Sequence, residues 1–205
     1  MTEETDELEL KQRLSLIENM IAEGRRTTES RGWVFVLWGV AYYIAIAWSS
    51  WGVAAPISPV RYMAWPVTMI AASILTMVVL IRKHRNHPPT TIGRAIGALW
   101  ISMGISMFIL AFSLGFSGRA DPQIIIAVIA AMLGTTNAAS SMILRWTAQF
   151  ACAIVWWAAT VASLFGTANQ AAIAFLVAIF FCQIVFGVYG MIRESQARRR
   201  GDSHA

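Results

Sequence analysis

The stretch 170–192, QAAIAFLVAIFFCQIVFGVYGMI, carries no charged residue over its 23 positions. An α-helix crosses the roughly 30 Å apolar core of a bilayer with about 20 consecutive, mostly apolar residues. Six stretches of the chain meet this requirement, at 32–51, 62–81, 95–116, 122–144, 148–165 and 170–192. The sequence therefore predicts an all-α polytopic membrane protein, with a six-helix transmembrane bundle over residues 32–193.

The composition agrees with a membrane location. Hydrophobic residues make up 57% of the 205 positions and charged residues 13%, whereas a soluble domain carries about 25% charged residues. The net charge of +5 does not indicate nucleic-acid binding, because the basic residues form short clusters between apolar runs. Cys152 and Cys182 lie inside apolar runs, which excludes a disulfide scaffold. Counted from the ends of their spans, the two cysteines differ in depth by roughly 9 Å, so we expect no disulfide between them.

Several span ends carry their own capping residues. Asp121 followed by Pro122 is typical of a helix N-terminus, and Gly166–Thr167 closes the fifth span and caps the sixth. The join between the fourth and fifth spans has no glycine or proline, so 134–137 is an alternative position for the turn. That alternative leaves a run too short to span and places Arg145 in hydrocarbon, at a cost of about 3 kcal/mol. We therefore place the turn at Arg145.

The basic residues predict the orientation. With the N-terminus in the cytoplasm, fourteen of the sixteen Lys and Arg residues fall on the cytoplasmic side, and only Arg61 and Arg119 fall outside. The acidic and polar first thirty residues predict no cleavable signal peptide. We expect a multi-pass protein of the bacterial inner (plasma) membrane, with both termini and a basic tail at 194–205 in the cytoplasm.

The spans also share a loose sequence pattern. Each outbound span carries tryptophan in its first half, and each returning span ends in an aliphatic pair and an arginine. One interpretation is three related hairpins. The other is the general preference of tryptophan and arginine for membrane interfaces. The residues concerned are Trp38, Trp100, Trp156 and Trp157, with Arg82, Arg145 and Arg193.

Residues 1–31 form a candidate cytoplasmic arm. Leu10, Leu14, Ile17 and Ile21 recur at helical spacing among charged residues, which predicts an amphipathic helix. Helices that bind anionic lipid usually carry excess Lys and Arg, whereas this one is acidic. We therefore expect these four residues to bind protein: the end of the chain's own bundle, a symmetry mate in a homo-oligomer, or another polypeptide.

No Asp, Glu, Lys, Arg or His lies between the predicted span ends. This argues against a pump with buried carboxylates, a retinal protein and haem ligation by membrane histidines. No phosphate-binding loop, metalloprotease motif or nucleophile elbow occurs. The sequence predicts no catalytic residue, no metal site and no cofactor.

Polar and aromatic residues inside the spans share a similar depth, about 10 to 16 Å from the cytoplasmic surface at about 1.5 Å per residue. Such a layer is a candidate pocket for a small hydrophobic, flat or aromatic ligand. Alternatively, these groups hold the spans together by hydrogen bonds. Depth alone does not show which face of its helix each residue occupies. The layer consists of Tyr42, Tyr43, Ser73, Ser102, Asn137, Trp156, Trp157 and Gln183.

The segment 17–21, IENMI, followed by 32–39, GWVFVLWG, resembles a set of small bacterial inner-membrane proteins, mostly uncharacterised. In those proteins a short amphipathic helix leads into a first span with a Leu-Trp-Gly element. The resemblance covers about the first fifty residues. It implies a bacterial inner-membrane protein, often paired with a cytoplasmic regulator, and no activity.

Three functional hypotheses follow. The first is a non-enzymatic membrane subunit or regulator that docks a protein partner through the arm and the cytoplasmic face. The second is a ligand-binding or transport component that uses the layer of polar and aromatic residues. The third is a membrane enzyme, for which the sequence offers no nucleophile or metal ligands.

Overall fold

The computed structural model describes residues 2–29, 32–50, 63–84, 91–117 and 121–202. These residues are almost entirely helical and include no strand. A π-helical segment, Phe180–Val185, joins the last two α-helices into one continuous element. The α-helices are α1 Thr2–Glu29, α2 Gly32–Ser50, α3 Ala64–His84, α4 Thr91–Ser117, α5 Pro122–Leu144, α6 Thr147–Phe165, α7 Ala168–Ile179 and α8 Phe186–Asp202.

The prediction of an all-α six-span membrane protein is confirmed. Among the described residues, six helical elements are long and apolar enough to cross a bilayer: α2, α3, α4, α5, α6 and the continuous α7–π–α8 element. The described helix ends lie within four residues of the predicted ones, except that the sixth element continues from the predicted end at 192 to Asp202. The predicted ends at 51 and 62, and residues 203–205 of the predicted tail, lie outside the described residues.

Four of the six spans form the packed core. α5 packs along α6, α6 packs along α7, and α2 packs against the π segment and α8. α3 packs against α2, and α4 packs against α5, both at the periphery. Large side chains cover the outer faces of α3 and α4, among them Ile74, Met77, Ile105 and Phe108. Such faces suit lipid, which is as apolar as the side chains themselves.

α2 and α8 cross at two glycines. A Cβ added at Gly187 would lie 2.7 Å from the Gly32 carbonyl oxygen, and one added at Gly32 would lie 2.5 Å from the Gly187 carbonyl oxygen. Small residues allow helix backbones to approach this closely in a membrane. The crossing therefore depends on the absence of a side chain at both positions.

The α5–α6 turn lies at Arg145 and Trp146, the position chosen from the sequence. Arg145 adopts the left-handed conformation with φ 48° and ψ 46°. The Trp146 amide donates to the Ser141 carbonyl at 2.9 Å, and the Arg145 amide donates to the Met142 carbonyl at 3.4 Å. This is a Schellman motif, which usually has glycine at the left-handed position.

Replacing Arg145 by glycine is expected to stabilise the protein. A residue with a Cβ costs roughly 1 kcal/mol or more in the left-handed conformation, and glycine removes that cost. We expect the midpoint of thermal unfolding in detergent, followed by circular dichroism, to rise by about 2 to 4 °C. Arg145→Ala is the control because it removes the charge and keeps the Cβ. An equal rise in both variants would show that the backbone conformation is not the cause.

Hydrogen bonds also define the opposite end of the bundle. Asp121 Oδ1 accepts from the Gln123 amide at 2.9 Å and caps α5. The Gln123 side chain donates to the Gly166 carbonyl at 3.0 Å and so connects the start of α5 to the end of α6. Thr167 and Gln170 form a reciprocal capping box at the start of α7. Both helix starts that the sequence predicted at this end are therefore capped by side chains.

Candidate functional site

α1 is anchored at its C-terminal part. It contacts α4, α5 and α8, and a Cβ added at Gly24 would lie 2.6 Å from Ile92 Cγ2 and 3.2 Å from Leu144 Cδ2. Met20 and Ile21 are half-buried. We call this end of the bundle, where α4 begins and α5 ends, the arm end. Part of the amphipathic arm thus docks on its own bundle, one of the three possibilities that the sequence left open.

The same face of α1 is exposed toward its N-terminus. Leu10, Leu14 and Ile17 are 60%, 53% and 53% exposed. From Leu10 to Leu14, Ile17 and Ile21 the intervals are four, three and four residues. The three exposed residues therefore continue the docked face of the helix. We call Leu10, Leu14 and Ile17 the free seam. The bundle covers the apolar stripe of α1 from about Met20 onward and leaves the free seam uncovered.

Charges surround the free seam. The Arg13 guanidinium pairs with Glu9 one turn earlier, at 2.6 Å. Residues 2–18 contain six acidic and two basic residues, so this part of α1 is acidic overall. An apolar stripe flanked by acidic residues favours a partner with an apolar stripe and basic flanks.

The structure divides the predicted layer into four buried residues, one half-buried residue and three exposed residues. Tyr42, Asn137, Trp156 and Gln183 are buried in the interior. Tyr43 is half-buried, and its hydroxyl donates to the Leu176 carbonyl at 2.9 Å.

The remaining members of the layer are exposed. Ser73 and Ser102 are exposed on α3 and α4, and Ser73 donates to the Met69 carbonyl within its own helix. Trp157 is 39% exposed, and part of its ring lies against Gly134. These residues share a depth with the buried group but occupy outer helix faces, which a depth count does not detect.

Aromatic rings connect two buried residues of the layer, Trp156 and Tyr42, in a chain of contacts across four helices. The Trp156 ring centroid lies 5.7 Å from that of Phe175 on α7. The Phe175 ring meets Tyr42 of α2 edge-on, at 6.0 Å between centroids, and Tyr42 meets Trp65 of α3 at the same distance. Aromatic pairs at these distances contribute about 0.5 to 1.5 kcal/mol beyond the burial of their area. Trp156 and Tyr42 therefore stabilise the bundle whether or not a ligand binds.

Among the described residues, five further polar residues outside the predicted layer are buried: Thr136, Ser140, Ser141, Gln149 and Ser163. Two of them have unpaired side-chain atoms, and neither was predicted from the sequence. Gln149 and Ser140 are 0% exposed. Neither atom of the Gln149 amide, nor the Ser140 hydroxyl, has a hydrogen-bond partner among the described residues. The sequence does contain an indication that Gln149 is buried. It precedes Cys152 and Trp156 by three and seven residues, so the three side chains share one face of α6. Gln149 escaped notice because it lies one residue inside the predicted span, at the depth of the membrane interface.

Two members of the layer show the same lack of partners. The Asn137 side-chain nitrogen donates to the Leu133 carbonyl at 2.8 Å. Its oxygen, and the Trp156 indole nitrogen, have no hydrogen-bond partner among the described residues. An unsatisfied buried polar group costs about 1 to 3 kcal/mol. We call Asn137, Ser140, Gln149 and Trp156 the polar core.

The hairpin geometry brings the polar core together. The turn has only two residues, and the Trp146 amide donates to the Ser141 carbonyl, so the last turn of α5 lies beside the first turn of α6, which contains Gln149. Further along, Gly134 lies against Trp157, and Asn137 lies between these two levels. From Ser141 to Gly134 the helix rises by about 10 Å. All four side chains of the polar core therefore lie within about 10 Å of height in the interior.

The two cysteines lie side by side, which corrects the depth count. Cys182 Sγ is 3.4 Å from the Cys152 carbonyl oxygen. The two residues therefore lie at nearly the same depth, whereas the count from the span ends predicted a difference of roughly 9 Å. The count took Ile192 as the end of the sixth span, but the Trp146 ring already lies 4.9 Å from Phe186. The level of the α5–α6 turn is thus near Phe186, and the helix continues beyond it. Both cysteines are free thiols, as the sequence predicted on other grounds.

The interior contains few metal-binding groups. Among the residues that the structure describes, no three His, Cys, Asp or Glu side chains come close enough together to hold a metal ion. The polar core offers amides, a hydroxyl and an indole, which suit hydrogen bonding to an uncharged molecule. No family model, curated protein or solved structure matches this chain.

Proposed function

We propose that this protein is a non-enzymatic membrane subunit or regulator that docks a protein partner through the free seam of α1. The observation that carries the proposal is the division of one helix face. Its C-terminal part is docked on the bundle at Gly24, and its N-terminal part exposes Leu10, Leu14 and Ile17. Because the anchored part positions the helix, the free seam is held ready for a partner before binding.

The partner that fits is an α-helix of another polypeptide with an apolar stripe and an excess of Lys and Arg. Six acidic residues against two basic ones in 2–18 disfavour an anionic lipid surface. The same charges disfavour a second copy of α1 packed alongside, since like charges would face each other. A basic amphipathic helix satisfies both the apolar stripe and the charges.

We further propose that the arm end faces the cytoplasm of a bacterium, across its inner membrane. The distribution of fourteen of sixteen basic residues to one side supports this orientation. Three of these residues are at the arm end, namely Arg94 near Ile92, Arg145 next to Leu144, and Arg193 one turn after Tyr189. The resemblance to bacterial inner-membrane proteins with an amphipathic arm agrees with it.

The non-enzymatic part of the proposal follows from the chemistry of the spans. No Asp, Glu, Lys, Arg or His side chain lies between the predicted span ends, and these groups carry out most general acid–base chemistry. The cysteines are the nucleophilic candidates in the bundle core, and both are buried against each other's helices. Buried thiols of this kind are usually inert.

Photocrosslinking in native membranes tests the docking proposal. A photoreactive phenylalanine analogue replaces Leu14, on the free seam, or Leu16, which is similarly exposed at 61% but lies on another face. We expect crosslinks from position 14, and few from position 16, to one polypeptide. Mass spectrometry of the crosslinked peptide should find an amphipathic segment rich in Lys and Arg. Crosslinks from position 14 to lipid, to a second copy of the chain, or to no molecule would overturn the proposal.

Substitution of the free seam tests the energetic part. Leu14→Glu with Ile17→Glu removes two apolar side chains, each contributing about 1.5 to 3 kcal/mol when buried. We expect affinity for the crosslinked partner to fall by at least about 100-fold. Leu16→Glu is the control and should leave affinity within about threefold. Equal losses in both variants would mean that the free seam is not the binding surface.

A further inference from the structure

The unpaired atoms of the polar core are buried on α5 and α6, in spans that contain no Asp, Glu, Lys, Arg or His. They comprise the Asn137 and Gln149 amide oxygens, the Gln149 amide nitrogen, the Trp156 indole nitrogen and the Ser140 hydroxyl. Buried polar groups in native proteins are nearly always hydrogen-bonded, to protein, to ordered water or to a ligand. Five such atoms on two adjacent helices therefore indicate a missing partner.

The chemistry of these atoms describes that partner. Two amide oxygens accept hydrogen bonds, the amide and indole nitrogens donate them, and the hydroxyl does both. The partner must offer both donors and acceptors. The primary amide of Gln149 presents a carbonyl and an N–H₂ side by side, so it pairs best with a planar edge that carries an N–H next to a carbonyl. The same amide geometry underlies paired hydrogen bonds between Gln or Asn and nucleobases.

The partner is also uncharged and larger than one water molecule. No Asp, Glu, Lys, Arg or His lies between the predicted span ends to balance a charge, and an isolated ion in such an interior is very costly. The five atoms extend over about 10 Å of height, whereas a buried water makes about three hydrogen bonds at short range. The Trp156 ring and its neighbour Phe175 add an aromatic surface beside the amides.

We propose that the polar core binds a small, uncharged, planar molecule of the amide class, with Gln149 as the principal hydrogen-bonding residue. This inference goes beyond docking at the free seam and does not depend on it. The unpaired atoms are enclosed by the surrounding helices, so a ligand can enter only when the helices around the polar core move apart. The π segment packs against α6, where Cys182 contacts Cys152. π-Helical turns are frequent at functional sites.

Binding of defined probes tests the proposal. Nicotinamide, benzamide and uracil each carry a planar amide-type edge, and benzoate is the charged control of nearly the same shape. Each is titrated by equilibrium dialysis against the full chain in lipid nanodiscs. We expect saturable binding of at least one amide probe at one site per chain and no binding of benzoate. Failure of all three amide probes to bind, including the case in which only water fills the site, would overturn the proposal.

Gln149→Leu is expected to change two measured quantities in opposite directions, lowering the affinity for the probe and raising the unfolding midpoint. Leucine removes the hydrogen-bonding edge, so we expect affinity for the amide probe to fall at least about tenfold. Because leucine also removes two unpaired polar atoms, we expect the unfolding midpoint of the empty protein to rise by about 2 to 4 °C. Gln196→Leu, on the exposed part of α8, should change neither quantity.

Two outcomes would contradict the role of Gln149. A lower unfolding midpoint in Gln149→Leu would show that the amide is already satisfied within the protein. Unchanged probe affinity in a folded Gln149→Leu would place the ligand elsewhere. Neither outcome affects the crosslink from position 14, so the ligand site and the docking surface stand or fall separately.

Discussion

Gly187→Leu is expected to separate α2 from α8 and to prevent stable folding in detergent. A Cβ at this position would lie 2.7 Å from the Gly32 carbonyl oxygen and 3.0 Å from the Val36 amide nitrogen. Both are backbone atoms, so no change of rotamer relieves the overlap. Overpacking of a well-packed interior typically costs about 1 to 3 kcal/mol and occasionally more, and here the added atoms overlap backbone that cannot move aside. Size-exclusion chromatography and thermal unfolding in detergent measure the loss.

Alanine at two glycines separates this steric effect from helix propensity. Gly187→Ala should lower the unfolding midpoint by several degrees, because even the Cβ overlaps backbone. Gly104→Ala should leave it unchanged or raise it, since no heavy atom lies within 4 Å of a Cβ at that position and alanine favours helices by about 1 kcal/mol over glycine. Equal behaviour of the two variants would refute the close crossing of α2 and α8.

Trp156→Ala is expected to have the largest effect of any single truncation in the core. Trp156 is 0% exposed and connects α6 to Phe175 of α7. Removal of a buried aromatic side chain leaves a cavity and costs about 3 to 5 kcal/mol. The loss can be measured from reversible unfolding in mixed detergent micelles with increasing denaturing detergent.

Two further variants identify the cause. Phe165→Ala truncates an aromatic residue of the same helix that is 87% exposed, so it should cost less than about 1 kcal/mol. Trp156→Phe keeps most of the ring and removes the unpaired indole N–H, so it should recover most of the stability lost with alanine. A loss as large in Trp156→Phe as in Trp156→Ala would show that the indole nitrogen has a structural partner.

The spans were predictable because hydropathy and charge are one-dimensional properties. α5 was predicted over 122–144 and is found as Pro122–Leu144, since Asp121, Pro122 and Arg145 each have a local reason to end a membrane helix. The end of the sixth span was less predictable. Its apolar run stops at Ile192, but the polar and charged residues that follow remain helical, so α8 continues to Asp202.

The interior was only partly predictable because it depends on rotation about each helix axis. Ser73 and Asn137 share a predicted depth, yet the first is exposed and the second is buried. The span of Cys182 is offset relative to that of Cys152 by an amount that only packing determines. Gln149 was missed for both reasons. The sequence does not show which face of α6 it occupies, and its predicted depth was that of the membrane interface. Its burial follows from the tight turn at Arg145, which draws the first turn of α6 into the bundle.

That two-residue turn also constrains how the chain is made. Arg145 and Trp146 leave no spare chain between α5 and α6, so neither helix can move far from the other once both are synthesised. We expect the pair to enter the bilayer as a single hairpin, with the charge of Arg145 remaining on the side from which the chain arrives. We then expect only the chain at the far ends of this hairpin to be translocated, and α5 and α6 to pack together before the sixth span is complete.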